Sequence, residues 1–435
     1  MKRTVAVFGG GVSGQGAVGL IGALGAETRI YDDAQGGGFT AAAARRHDLV
    51  IFSPGFAPDH PWLARARAAG ALVLGELDLA ALYWRGGIVA VTGTNGKTTL
   101  AEFLAHALRA AGRDATAAGN VGRAFSHLVA AAGGGTTNAL AVCEVSSFQA
   151  EVLEHFRADA TLWTNFAEDH LDRHTDLEGY FAAKWNLVTR TLPPGEGCFN
   201  RSGGDESAAP PATVFLGDTV RMFARRFDRP VGAAMAVETG APSAETGLAG
   251  TVFADPPQRE NFLLAQAWWR ANHGKEVALH RAARTFPPGR HRLARIAEHD
   301  GVAYWNDSKA TNFHATEAAL ARFAEPVVWI GGGRSKGGDI AGFVHRIAPR
   351  VRHAVLIGET AAELAFHCAA SRVAHSVCST LADAVWRAAE QAPPDGHVVL
   401  SPGFSSFDLF CGYEDRGLQF ENLARQLGAV TPSLG

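Results

Sequence analysis

The run GTNGKTT, residues 93–99, carries the clearest chemical signal in the chain. It follows an apolar stretch, GIVAVT, and opens a helical pattern. The backbone N–H groups of Gly93, Thr94, Asn95 and Gly96 and of the helix start can therefore surround phosphate oxygens. Lys97 adds a compact positive charge for terminal phosphates, and the Thr98 hydroxyl, with Thr99 behind it, can reach a magnesium ion. The full pattern GxxxxGK[ST] places a glycine where this chain has Val91, so the match is to the GK[ST] end alone.

Further along, potential ligands gather where apolar runs end. CEVSSFQ puts Glu144 near the end of a buried strand. A buried carboxylate needs a partner, which beside a phosphate loop is a magnesium ion or else a salt bridge. EDHLDRH, residues 168–174, has no accompanying cysteine and no HExxH, so a zinc site is disfavoured. One imidazole among carboxylates suits a hard ion that keeps its waters, with His170 as the contact. The alternative for Asp169, Asp172 and Arg173 is a solvated loop network. Lys184, in YFAAKWN, sits in a helical pattern among apolar neighbours, where a snorkelling lysine is the ordinary reading.

Three more polar segments follow strands. In NDSKATN, residues 306–312, Lys309 can neutralise charge that develops in phosphoryl transfer, and Asp307 can pair with it, accept a proton or cap the next helix. GGGRSKGGD offers Lys336 as an anion ligand. SPGFSSFD offers serines and backbone N–H groups that can nest a carboxylate. Near the start, GGGVSG supplies Gly9, Gly11 and Gly14 at GxGxxG spacing, and Asp32 ends the following strand. A dinucleotide site fits formally, but with a separate phosphate loop downstream a nucleotide-bearing substrate is the simpler occupant.

The whole chain supports such a reading. Its 435 residues allow two to four domains, 47% of them are hydrophobic, and the formal charge is -3, which disfavours nucleic-acid or anionic-membrane partners. The amino terminus lacks the features of a signal peptide, and the five scattered cysteines without CxxC read as reduced thiols of a cytoplasmic protein. Only six lysines occur. Lys2 and Lys275 look like surface residues, while Lys97, Lys184, Lys309 and Lys336 each sit in one of the constellations above. Lysine and arginine differ as phosphate point charges, so this distribution itself points to chemistry.

The elements that must position these groups alternate strand and helix, the signature of parallel α/β sheets. Three series are expected: residues 1–84, 85–287 and 288–435. The first and last are Rossmann-like, and the middle one is a P-loop ATPase-like domain with a mostly parallel sheet. Residues 201–212 read as a loop, 228–250 as weakly patterned short strands, ENFLLAQAWWRAN as an amphipathic helix and FPPGRHR as a linker. Polar groups at strand ends in serial α/β units predict ligands held between domains.

GTNGKTT, GNVG, EVSSFQ, DHLDRH, YFAAK, HR at 291–292, NDSKATN and SPGFSSFD occur in the order found in the Mur ligases of peptidoglycan synthesis, and the chain resembles that family over essentially its whole length. The resemblance implies three domains that bind the UMP part of a UDP-sugar peptide, ATP and an amino acid. It implies that the L-alanine carboxylate of UDP-N-acetylmuramoyl-L-alanine attacks the γ-phosphate of ATP, and that D-glutamate then attacks the acyl phosphate with the help of two magnesium ions. Lys97 and Thr98 would serve phosphates and magnesium. Glu144 and His170 would be metal ligands. Lys184 would be the family's carbamylated lysine, which reverses its ordinary reading. Asn120 and Ser146 are similar to substrate contacts, and Asn261, Arg292, Asp307 and Lys309 to nucleotide and phosphate contacts. Thr311, Lys336, Ser406 and Tyr413 resemble the groups around the incoming glutamate. Ser13, Asp32, Ser53 and Gly55 fall at the uridine-side loops. A monomer with small-molecule partners is implied.

The chain departs from the family pattern in four places. HNxxN reads PQREN, so only Asn261 survives. Arg334 stands where an acid is usual, SPACAS reads SPGFSS, and KNYE reads CGYE. The last three lie on the amine side and leave L-glutamate or another amino acid open as the amine. A non-catalytic nucleotide-binding regulator is the rival of another class. It would be expected to have lost Lys97, Glu144 or Lys309, and all three are present.

Overall fold

The computed structural model describes residues 4–32, 38–197, 212–231, 234–237, 247–273, 275–287 and 289–427. Lys2, Asp33, Cys198, nearly all of the expected loop at 201–212 and Pro288 lie outside them. The strands form three sheets. The first holds β1 (Val5–Phe8), β2 (Thr28–Tyr31), β3 (Leu49–Phe52) and β4 (Leu72–Gly75) in the order β2-β1-β3-β4, all parallel. The second holds β5 (Gly87–Thr92), β6 (Ala115–Gly119), β7 (Leu140–Glu144), β8 (Ala160–Trp163), β9 (Val214–Leu216) and β10 (Met235–Ala236), in the order β10-β9-β8-β5-β7-β6, again parallel throughout. Parallel sheets are covered on both faces, which is why GIVAVT reads as an unbroken apolar run and why β5 is buried at every position.

The chain divides into two compact units, Met1–Phe166 with Glu178–Phe286, and Ala167–Leu177 with Pro287–Gly435. In the first unit the first two sheets share one core. Val7, Ile51 and Leu74 join Ile88, Ala141 and Phe125 in a single apolar cluster. Two buried carboxylates fasten it. Asp78 accepts the N–H groups of Glu154, His155 and Phe156 at 3.0, 2.9 and 2.7 Å, and Glu76 accepts the N–H of Ser126 at 2.7 Å. Burial pushes the Glu76 carboxyl above its ordinary pKa. The start of β5 separates the two sheets in sequence but not in packing.

The second unit holds the third sheet: β11 (Ala294–His299), β12 (Val302–Asn306), β13 (Val327–Gly331), β14 (Val351–Leu356), β15 (Ala374–Val377) and β16 (His397–Leu400), in the order β11-β12-β16-β13-β14-β15. All its pairs are parallel except the β11–β12 hairpin. That hairpin turns at Asp300-Gly301, a dipeptide suited to a two-residue loop, and β11 was not expected from its mixed sequence ARIAEH. The segment Ala167–Leu177, which carries DHLDRH, belongs to this unit rather than to the sheet that precedes it. Among the described residues no helix is long and apolar enough to cross a membrane.

Candidate active site

The loop after β5 runs straight into the helix Lys97–Ala110, and Gly96 caps that helix at φ 83°. A side chain there would be strained, and its Cβ would also lie 2.5 Å from the Asn261 amide oxygen. Asn261 therefore packs directly over the loop, and its amide donates to Gln258 at 2.8 Å. The departure PQREN thus keeps a paired amide against the loop. From β8, Asn165 receives the Asn95 N–H on its side-chain oxygen at 2.9 Å and the Thr94 N–H on its carbonyl at 3.0 Å. The Thr164 hydroxyl donates to the Asn95 carbonyl at 2.6 Å. The loop is held from outside, and two of its amides are turned toward β8.

Lys97 folds back onto its own loop, donating to the carbonyls of Gly93 at 2.9 Å and Thr94 at 2.8 Å. Lys184, on the helix Leu177–Thr189, is 1% exposed and donates to the same Gly93 carbonyl at 3.0 Å. It also lies 5.0 Å above the Tyr180 ring. The helix points this lysine at the phosphate loop, not at solvent.

At the end of β7, Glu144 is buried and accepts the Asn120 amide at 3.1 Å. Asn120 also donates its N–H to the Glu144 carbonyl at 2.9 Å. Ser146 forms a reciprocal capping box with Gln149, which opens the short helix Ser147–Ala150. Among the described residues no three His, Cys, Asp or Glu side chains gather at one point.

In the first sheet the strand order reverses between β1 and β3, and such a switch opens a crevice beyond the carboxyl ends of the strands. There the Asp32 carboxylate accepts the Gly10 N–H at 2.7 Å, and Ser53 follows β3 with a buried hydroxyl that finds no hydrogen-bond partner among the described residues. Ser13, in the first turn of the helix Val12–Ala23, is half-buried, and Gly55 is exposed. Asp32 and Ser53 thus stand at this one crevice.

In the second unit Asp169 is the hub. Its side chain is 6% exposed and receives Lys336 at 3.0 Å and the Asn312 amide at 3.1 Å. Burial alone would raise its pKa, but the Lys336 and His170 charges and the two hydrogen bonds hold the carboxyl well below the usual range. His170 follows with φ 55° and its imidazole 3.6 Å from Asp169. Lys336 also reaches the Thr311 hydroxyl at 3.5 Å. These groups border a small pocket, with Asp169, Thr311, Asn312 and Lys336 on one side and Phe313 and Phe404 on the other.

Asp307, after β12, accepts the Leu293 N–H at 3.1 Å and the Ser401 hydroxyl at 2.8 Å. Burial outweighs these bonds and the nearby charges of Arg292 and Arg416, and pushes its pKa up to about 7. Lys309 lies 3.7 Å above the centre of the Tyr413 ring. Arg292 is flanked by His291 and Leu293, both at positive φ, and His291 is buried against Asn306 and Glu421. Ser406 is buried.

Arg416 belongs to none of the sequence motifs, yet it organises this site. It is fully buried, donating to the Ser308 hydroxyl and carbonyl, both at 2.9 Å, and to the Phe404 carbonyl at 3.3 Å. It thereby ties the turn bearing Asp307 and Lys309 to SPGFSS, and burial lowers its pKa to about 10. A signal was present: Arg416 stands in the first turn of the helix Tyr413–Leu427, where the helix dipole disfavours a cation. Asn165 and Ser401 likewise did not stand out in the sequence. Two of the departures meet in space, since Arg334 and Ser405 exchange backbone hydrogen bonds at 2.9 and 3.1 Å.

Residues 91–204 match the Mur ligase middle domain, and residues 291–404 match the Mur ligase glutamate ligase domain. The chain is 33% identical over 468 residues to the UDP-N-acetylmuramoylalanine--D-glutamate ligase of Nitrobacter hamburgensis, covering 99% of this chain and 98% of that one. It is 36% identical over 402 residues to the ligase of the same name from Thermobifida fusca, covering 87% and 85%. Among solved structures, the UDP-N-acetylmuramate-alanine ligase of Thermotoga maritima shares the fold at a TM-score of 0.56 and 14% identity, over 98% of this chain and 99% of that one.

Proposed function

The chain belongs to the Mur ligase family, and from that premise we propose that it is an ATP-dependent amide ligase adding D-glutamate to UDP-N-acetylmuramoyl-L-alanine. The observation that carries this reading is that one chain, alike over its length to ligases named for that reaction, keeps both a lysine-bearing phosphate loop and the Lys336–Thr311 pocket. The first unit supplies the phosphoryl donor. The N–H groups of Gly96 and the helix start, with the Lys97 side chain, hold its phosphates, Thr94 and Asn95 shape the loop through Asn165, and Asn261 lies on the nucleotide side. The alanine carboxylate displaces ADP from the γ-phosphate and becomes an acyl phosphate. Asn120 and Ser146 hold the muramoyl substrate, and Ser13, Asp32, Ser53 and Gly55 its uridine end.

The second unit supplies the amine. Thr311, Lys336, Ser406 and Tyr413 hold glutamate, whose amine attacks the acyl carbon. Collapse of the tetrahedral intermediate releases phosphate and leaves the amide. Lys309 neutralises charge on the transferring group, while Arg292 and Asp307 contact the nucleotide.

The donor set in the first unit fits magnesium. It offers the buried Glu144 carboxylate and the Thr98 hydroxyl, and magnesium completes such sets with substrate phosphates and water. Lys184 completes the proposed magnesium donors of the first unit, and His170 is the proposed metal contact of the second. Magnesium, when bound, neutralises the phosphate oxygens during transfer. Lys184 would take up carbon dioxide as a neutral amine, lose a proton and so present carboxylate-like oxygens. The second cation already on the Gly93 carbonyl supports that conversion. The setting is cytoplasmic and the protein monomeric.

The test is an amino-acid panel with UDP-N-acetylmuramoyl-L-alanine, ATP and magnesium, reading phosphate release. D-Glutamate should turn over. Turnover with L-glutamate or another amino acid and none with D-glutamate would overturn the assignment.

A further inference from the structure

We infer that Phe404 is a specificity-determining residue that sets the length of the amino acid the second unit accepts, an inference that rests on the function proposed above. The pocket there has two unlike walls. One is polar, with Lys336 bonded to Asp169 and Thr311. The other is aromatic, with Phe404 and Phe313 edge to face at 5.3 Å and Phe313 stacked on Phe343 at 4.4 Å. A carboxylate held on the polar wall leaves the rest of an amino acid to lie along the aromatic one. A rigid ring there limits how many methylene groups fit.

Phe404 is fixed from three directions. Gly403, before it, has φ 77°, and any Cβ there would press on Phe343 at 3.3 Å. Its carbonyl takes a hydrogen bond from the buried Arg416. Ser405, after it, is paired to Arg334 by two backbone hydrogen bonds. With backbone and ring both held, the wall cannot yield to a longer substrate.

The experiment uses the full chain with UDP-N-acetylmuramoyl-L-alanine, ATP and magnesium, and compares D-glutamate with D-2-aminoadipate, one methylene longer. Wild type should favour D-glutamate by about 10-fold or more in kcat/KM, the usual worth of one methylene group. Phe404→Ala and Phe404→Leu should lower that preference by about 10-fold, mainly through the amino-acid KM, with the KM for ATP unchanged. A preference within twofold of wild type, in variants that keep the ATP KM, overturns the inference. Should both variants unfold, Phe404→Tyr decides. It should raise the KM for D-glutamate several-fold, and an unchanged KM contradicts the inference. A wild type inactive with D-glutamate would instead overturn the proposed function itself.

Discussion

Lys97 and Lys184 place their side-chain nitrogens on one oxygen, the Gly93 carbonyl, at 2.9 and 3.0 Å. Two cations on one carbonyl repel, and Lys184 is buried. Carbamylation of Lys184 would replace one of these cations with an anion and so relieve the repulsion. Lys184→Ala should lower kcat by about 100-fold or more, the scale of losing an electrostatic contact in the transition state. Added short-chain carboxylates should restore part of the rate. Labelled bicarbonate should give a carbamate signal by 13C NMR in wild type and none in the variant.

The Asp169–Lys336 pair makes a pH-dependent contribution to stability. The folded carboxyl is held below its unfolded pKa, so the contribution is present above that unfolded value and is lost as pH falls toward the folded one. Asp169→Asn should destabilise the protein by about 2–3 kcal/mol at neutral pH, and the difference should shrink on acidification. Urea titrations at pH 7 and pH 3.5 check both.

Asp307 has the opposite sign. Its pKa rises from 3.8 to about 7 on folding, so the folded state favours the neutral acid. Stability falls as pH rises between those values, by up to about 1.4 kcal/mol per unit. Asp307→Asn should flatten the stability profile between pH 4 and 7, measured by thermal melts across that range without nucleotide.

Arg416 should prove structural for the amine side. Arg416→Ala leaves the Ser308 and Phe404 carbonyls short of a donor and should cost about 3 kcal/mol or more. Arg416→Lys should recover little of this, because an ammonium cannot bridge both turns as the guanidinium does. Denaturant midpoints of the two variants decide.

Much of this was legible in the sequence. Local chemistry defined the phosphate loop, because strand, glycine turn, lysine and helix are contiguous. The parallel sheets followed from unbroken apolar runs. What could not be read was set by distant contacts. Lys184 sits in an apolar helix, where composition indicates a snorkelling side chain, and only packing aims it at Gly93. Arg416 lies more than a hundred residues from Ser308, and only the fold joins them. The hairpin strand β11 was hidden by its polar, half-exposed face. Glu76 and Asp78, which fasten the shared core of the first two sheets, are charged in sequence yet buried in the fold.

Activation of a carboxylate as an acyl phosphate is tested most directly by isotope transfer. UDP-N-acetylmuramoyl-L-alanine labelled with 18O in the alanine carboxylate is incubated with the enzyme, ATP, magnesium and D-glutamate, and the released phosphate is analysed by mass spectrometry. The expected result is one 18O atom in each phosphate released, with D-glutamate required for the release. Unlabelled phosphate accompanying amide formation would contradict the acyl-phosphate route.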